Sequence, residues 1–167
     1  MRLSLQCLSG DAEWAMPAEK KLDVQFGMVI RGAPLRLRAS GPDGEDHFLH
    51  LVASQLLTPY FDDRGREYRC RTDKYTYSVF DDQQNEVASW HWHPETYRSP
   101  HVHVREARGL HIPTGRVTFE SVVRFLIEDL GVQEARQDWD SVLNDQEDRH
   151  LTGALGREHS REASNRL

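Results

Sequence analysis

The sequence predicts an α+β protein in which an antiparallel β-sheet packs one face against a helix. Residues 67–105 contain three runs in which apolar and polar side chains alternate, as in half-buried strands. Residues 118–130 instead repeat apolar side chains at helical spacing. We expect a meander over 67–105, a helix over 118–130 and a second helix over about 138–149. One domain would span residues 1–152, followed by a polar, disordered tail at 153–167.

The first 65 residues have shorter and less regular patterns. Residues 2–8 alternate between apolar and polar and predict a strand, as do the runs at 24–30 and 35–39. Residues 11–21 favour no single type of element. Residues 47–57 fit either a helix or a buried strand, and we favour the helix because Phe48, Leu49, Val52 and Leu56 would form one stripe. Residues 58–65 are predicted to form a loop.

The meander is predicted from three strands and the turns between them. In the strand at 67–80, Tyr75, Tyr77 and Val79 alternate with polar neighbours. A turn at 82–85 leads to a strand at 86–93, and the segment 94–100 leads to a strand at 101–105.

The helix at 118–130 has signals at both ends. Thr118 is a suitable N-cap, and Gly131 is the residue type that most often ends a helix. Its apolar stripe would cover one face of the meander. In the second helix, the apolar side chains are Trp139, Val142 and Leu143.

Composition narrows the class of protein. The 167 residues carry a net charge of −6, and an excess of acidic residues over 127–150 accounts for it. That acidic segment would be a solvated helix face or a docking site for a basic partner. The two cysteines, Cys7 and Cys70, lack the spacing of a zinc site and suit a reduced, cytoplasmic protein. No run approaches the roughly 18 apolar residues of a membrane helix.

Two His-x-His pairs are the strongest functional signal. They lie in Ser89-Trp-His-Trp-His-Pro and in Pro100-His-Val-His-Val. Residues i and i+2 of a strand point to the same face, so each pair would share a face. In a symmetric hairpin His93 would lie opposite His101, and His91 opposite His103. A loop asymmetric by one residue would instead put the two pairs on opposite faces.

The preceding turn predicts the same division into two faces. It puts His91 opposite Thr76 and His93 opposite Lys74. One face would then be apolar, carrying Tyr75, Tyr77, Val79, Trp90, Trp92, Val102 and Val104. The opposite face would be polar, carrying Lys74, Thr76, Ser78, Ser89, His91, His93, His101, His103 and Arg105. Phe80 and Val87 are apolar exceptions on the polar face.

The polar face suits metal-independent cleavage of RNA. A neutral histidine would take the proton of a 2′-hydroxyl while a protonated one gives a proton to the leaving oxygen. Arg105 or Lys74 would stabilise the charge that develops on the phosphate oxygens. The predicted catalytic residues are His91, His93, His101, His103 and Arg105. The predicted substrate-binding residues are Lys74, Thr76 and Ser89, and no cofactor is required.

Two alternatives remain open from the sequence. His91, His93, His101 and His103 would also bind zinc, nickel or iron, with His111 as a further ligand, in a metal-binding protein or metal-dependent hydrolase. A non-enzymatic interaction protein would use the polar face or the acidic helix to hold a partner.

The order of these motifs over residues 74–130 resembles the TumE-type toxin family of bacterial and archaeal toxin–antitoxin modules. The resemblance includes Tyr75-Thr-Tyr-Ser-Val, an acidic turn, the two His-x-His motifs and the helix Phe119-Glu-Ser-Val-Val-Arg-Phe-Leu. The string Ser-Pro-His-Val-His-Val is also similar to a Pro-Pro-His-x-His-Val motif of another small family in such modules. Ser89-Trp90 stands where the toxin-like families often have Asp-Asn. The resemblance implies a prokaryotic growth-modulating protein that acts on RNA or another nucleotide target and has a partner antitoxin.

Overall fold

An antiparallel sheet of eight strands forms the centre of the computed structural model, which describes residues 2–63, 65–105 and 110–149. The strands are β1 (Trp14–Ala15), β2 (Phe26–Ile30), β3 (Leu35–Ser40), β4 (Asp46–Asp62), β5 (Glu67–Asp81), β6 (Glu86–His93), β7 (Tyr97–Val104) and β8 (Ile112–Pro113). The helices are α1 (Arg2–Gln6), α2 (Phe119–Glu128) and α3 (residues 139–149). The predicted α+β class, the meander and both predicted helices are confirmed.

The sheet is built around the long pair β4–β5. Its order is β1-β2-β4-β5-β6-β7-β8, and β3 also pairs with β4. Strands β2 and β3 share one edge of β4, because β3 pairs with its first half and β2 with residues 54–57. The chain from β4 to β8 is therefore a meander in which each strand pairs with the next.

The predicted helix at 47–57 and the predicted loop at 58–65 are wrong, because β4 runs through both. Along β4 the buried residues alternate from Leu49 through Leu51 and Ala53 to Leu57, which is the period of a strand. Phe48, Val52 and Leu56 lie on the opposite face of β4, where they are partly buried and also apolar. That second set has helical spacing and misled the sequence-based prediction.

The predicted strand at residues 2–8 is also wrong, because α1 occupies residues 2–6. A strand would bury Leu3 together with Leu5, whereas Leu3 is 43% exposed and Ser4, Leu5 and Leu8 are buried. The Ser4 hydroxyl donates to the Glu120 carboxylate of α2 at 2.7 Å, which ties the two helices together. The strands predicted at 24–30 and 35–39 are confirmed as β2 and β3.

Helix α2 covers the apolar face of the meander, as predicted. Its buried side chains include Phe119, Val122, Val123 and Leu126. They pack into one core with the buried residues of β5 and β6, which are Tyr75, Tyr77, Val79, Ala88, Trp90 and Trp92. The Thr118 side chain accepts a hydrogen bond from the Ser121 amide at 3.0 Å and so caps the helix. Val102 is partly buried against the same core.

Gly131 ends the α2 segment for a steric reason. Its φ is +67°, and a Cβ at this position would lie 2.3 Å from the Ser40 carbonyl oxygen. Only glycine accommodates both the left-handed backbone and this close approach.

Helix α3 follows and buries Leu143. The tail predicted at 153–167 lies outside the described residues. Within the described part of the chain, no helix is long and apolar enough to cross a membrane.

Candidate functional site

The β6–β7 hairpin has a different register from the predicted one. His91 pairs with His101, Ser89 with His103, and His93 with Tyr97. The prediction of His93 opposite His101 and His91 opposite His103 is therefore wrong by two residues. The turn occupies only residues 94–96, where the Thr96 amide donates to the His93 carbonyl at 3.0 Å.

A bulge in β7 explains why the two pairs nevertheless share a face. Between the pairs His91–His101 and His93–Tyr97, β6 has one residue and β7 has three. The bulge thus adds two residues, and an even number preserves the alternation of side chains. The rings of His91 and His101 stack with centroids 5.6 Å apart and an interplanar angle of 11°.

The β5–β6 hairpin supports the same arrangement. His91 lies opposite Thr76, as predicted, and the turn is the predicted four-residue one at 82–85. A one-residue bulge falls at Val87, because Val79 pairs with Ala88 while Phe80 pairs with Glu86. Val87 packs against the core, which accounts for one of the two apolar exceptions.

His111 joins these histidines from outside the hairpin. Strand β8 pairs Ile112 with Val102, so the residue before it reaches the ends of the His101 and His103 side chains. The His111 ring centroid lies 4.8 Å from that of His101 and 4.5 Å from that of His103. We call the five residues His91, His93, His101, His103 and His111 the histidine cluster.

Three members of the cluster have the arrangement of metal ligands. One ring nitrogen from each of His101, His103 and His111 lies within 4.8 Å of the other two. Nitrogens bound to one tetrahedral zinc ion are about 3.3 Å apart, so small side-chain rotations would close the site. His101 is buried at 4% exposed, His103 is half-buried and His111 is exposed. The three rings therefore form a site that opens to solvent on the His111 side.

His101 is held in one orientation. Its Nδ1–H donates to the Ser99 carbonyl at 3.2 Å, which leaves Nε2 of the neutral ring free to bind a metal. Tyr97, which the sequence placed in a loop, packs its ring against His101 at 4.8 Å and stacks on His111 at 5.2 Å. The β7 bulge brings this tyrosine to the site, and no local sequence signal identified it.

Burial and mutual repulsion keep part of the cluster neutral. Burial, and then the nearby charges of His103 and the other histidines, lower the pKa of His91 to about 4. Burial and the charge of His111 lower the pKa of His103. Burial and Lys74 lower the pKa of His93. Neutral imidazole is the form that binds metal ions.

His91 and His93 form a second close pair. The distance from His91 Nδ1 to His93 Nε2 is 3.3 Å. The Thr76 hydroxyl also lies 3.3 Å from His93 Nε2. The His91 ring lies edge-on to His103, with centroids 5.2 Å apart, so this pair adjoins the three-histidine site.

The predicted cationic residues have carboxylate partners. Lys74 Nζ lies 2.5 Å from Glu95 Oε1, and Arg105 Nη2 lies 2.5 Å from Asp81 Oδ2. Hydrogen bonds from Asn85 and Arg105 hold the pKa of Asp81 at about 2, so this carboxylate is ionised at neutral pH. Ser89 is completely buried, and its Oγ has no hydrogen-bond partner among the described residues. The structure thus brings the histidines together, whereas Ser89 lies beneath the solvent-facing surface.

Comparison with protein-family models, curated proteins and solved structures finds no match to this chain. The geometry of the histidine cluster is therefore the main indication of a function.

Proposed function

We propose that this protein binds a divalent transition-metal ion through His101, His103 and His111. The observation that carries the proposal is the convergence of one nitrogen from each of these three side chains within 4.8 Å. Two of them come from β7 and the third directly precedes β8, so the pairing of β7 with β8 brings the ligands together. Zinc, nickel and copper all favour imidazole ligands.

The surroundings of the three ligands support this proposal. The hydrogen bond from His101 to the Ser99 carbonyl is typical of a metal-binding histidine, whose other ring nitrogen usually donates to a carbonyl or carboxylate. Tyr97 packs on two of the three rings and limits their rotation. Both features reduce the entropy lost on binding.

The number and exposure of the ligands favour a reactive site over a structural one. Structural zinc sites usually have four protein ligands, whereas catalytic sites have three and keep one position open. The gradient from buried His101 to exposed His111 leaves such a position on the solvent side. Three neutral imidazoles would leave the full charge of the ion to polarise a bound water molecule, which is the chemistry of metal-dependent hydrolysis.

Metal-independent RNA cleavage is less well supported by the contacts. It would use Lys74 and Arg105 to bind phosphate, yet both cations are paired with carboxylates. It would also need one charged histidine beside a neutral one, and the lowered pKa values of His91, His93 and His103 make these three less suited to the charged role. The toxin-like role and its antitoxin partner remain predictions from the sequence resemblance.

Metal binding by untagged, full-length protein tests the proposal. After dialysis against zinc and removal of free ion, we expect bound zinc by mass spectrometry. We expect His103→Ala and His111→Ala to weaken zinc affinity in calorimetry by about 100-fold or more, beyond the 10- to 100-fold usual for residues behind the ligands. His47→Ala is the matched control, because His47 is exposed on β4, three strands from β7.

Two results would contradict the proposal. One is wild-type protein that retains no metal after zinc, nickel and copper have each been supplied. The other is a His111→Ala variant with wild-type affinity for the ion. Circular dichroism of each variant verifies that a loss of affinity does not reflect unfolding.

A further inference from the structure

We propose that His91 and His93 bind a second divalent metal ion beside the three-histidine site. This inference rests on the proposed function, since the pair adjoins that site. It concerns different ligand atoms, His91 Nδ1 and His93 Nε2, which lie 3.3 Å apart. The cluster would therefore hold two ions.

The distance between the two nitrogens is the main support. Two nitrogens bound to one tetrahedral ion at about 2.0–2.1 Å are about 3.3 Å from each other. By contrast, hydrogen bonds from a ring N–H are usually about 2.9–3.0 Å long. The pair thus has the nitrogen–nitrogen spacing of two ligands of one ion.

A hydroxyl and a carboxylate lie near this pair of histidines. The Thr76 hydroxyl lies 3.3 Å from His93 Nε2. Glu95 lies close enough to raise the pKa of His93 against the larger effects of burial and Lys74. Its carboxylate is held by the Lys74 ammonium at 2.5 Å, and a metal dication would compete with that ammonium for the same oxygen. The second site would thus combine two nitrogens with oxygen donors.

The two sites would fill in order. His91 is the ligand of the second site that adjoins the first site, with ring centroids 5.2 Å from His103 and 5.5 Å from His93. Two dications at such close range repel each other, so the second would bind at least about tenfold more weakly than the first. The three-histidine site has more nitrogen ligands and would fill first.

Calorimetry and metal analysis with zinc on untagged, full-length protein provide the test. We expect wild type to bind two zinc ions in resolved steps. His93→Ala should lose the weaker step and keep the tighter one with little change. His47→Ala is the control and should keep both steps. Circular dichroism verifies that each variant is folded.

The possible failures are distinguishable. Wild type that saturates at one ion would overturn this inference and leave the three-histidine site intact, because the 3.3 Å contact would then be only a hydrogen bond. Two ions retained by His93→Ala would also overturn it, because the second ion would then bind elsewhere. Wild type that binds no ion would overturn both this inference and the proposed function.

Discussion

The two faces of β5, β6 and β7 are made of alternate residues on the same strands but have different surroundings. On the core face, Tyr77 packs against Phe119 of α2 with ring centroids 5.6 Å apart, and Trp90 packs edge-on against Phe125 at 5.3 Å. On the opposite face, His91 and His93 alternate along β6 with Trp90 and Trp92, and their neighbours are other polar side chains.

Because of this difference, we expect the core face to stabilise the fold and the histidine face to bind ligands. Burial of the aromatic side chains under α2 is the main source of folding free energy in this part of the molecule. The histidine cluster contributes little apolar burial, and repulsion among its protonated rings would oppose folding. Substitutions on the core face should therefore change stability, and substitutions in the cluster should mainly change ligand binding and its pH dependence.

The largest expected effect on stability comes from removing a buried aromatic ring from the core face. Phe119→Ala removes a ring that is 1% exposed and packs against Trp14 and Tyr77. We expect a loss of about 3–5 kcal/mol in the free energy of unfolding, measured by urea denaturation. Phe61→Ala is the matched control, because Phe61 is 40% exposed and should change stability far less. Equal losses in the two variants would show that α2 does not provide the main cover of the sheet.

The histidine face should instead determine the response of stability to pH. The pKa of His91 is about 4 in the folded protein and about 6.5 in an unfolded chain. As the pH falls below 6.5 the unfolded state takes up the proton first, so stability is lost progressively down to about pH 4. His91 is half-buried, so its effect is screened in part by solvent. We expect it to account for about 1–2 kcal/mol of the loss in the free energy of unfolding.

A substitution at His91 measures how much this residue contributes to the pH dependence of stability. Urea denaturation at about pH 7 and about pH 4 should show a smaller difference for His91→Gln than for wild type. His93 and His103 have lowered pKa values too, so part of the pH dependence should remain. If His91→Gln kept the full wild-type difference between the two pH values, His91 would not have a lowered pKa in the folded protein.

The same comparison separates what the sequence predicted from what it did not. The meander and α2 were predictable because each has one clear period, with Tyr75, Tyr77 and Val79 alternating and Val122 and Leu126 spaced four apart. Strand β4 was not, because both of its faces are partly buried and its two apolar sets overlap in sequence. Helix α1 spans only five residues, which is too short to distinguish a helical period from alternation.

The candidate site was predicted in its residues but not in its geometry. Alternation along each strand placed His91 with His93 and His101 with His103. The register depended on a two-residue bulge that places Tyr97 opposite His93, which no turn rule indicated. His111 was recognised only as a further ligand, because its place beside His103 depends on the non-local pairing of β7 with β8.

The substitution with the smallest expected effect tests whether α2, which covers the core face, can be destabilised without changing the histidine face. The Thr118 side chain caps α2 by accepting from the Ser121 amide, and its hydroxyl donates to Glu147 at 2.8 Å. We expect Thr118→Ala to reduce the free energy of unfolding by about 1 kcal/mol, and Thr118→Ser to retain most of it. Zinc affinity should be unchanged in both variants, because the cap lies on the helix and the metal ligands on the opposite side of the sheet. A parallel loss of zinc affinity in Thr118→Ala would mean that the two faces are coupled and that α2 positions the ligands as well as the core.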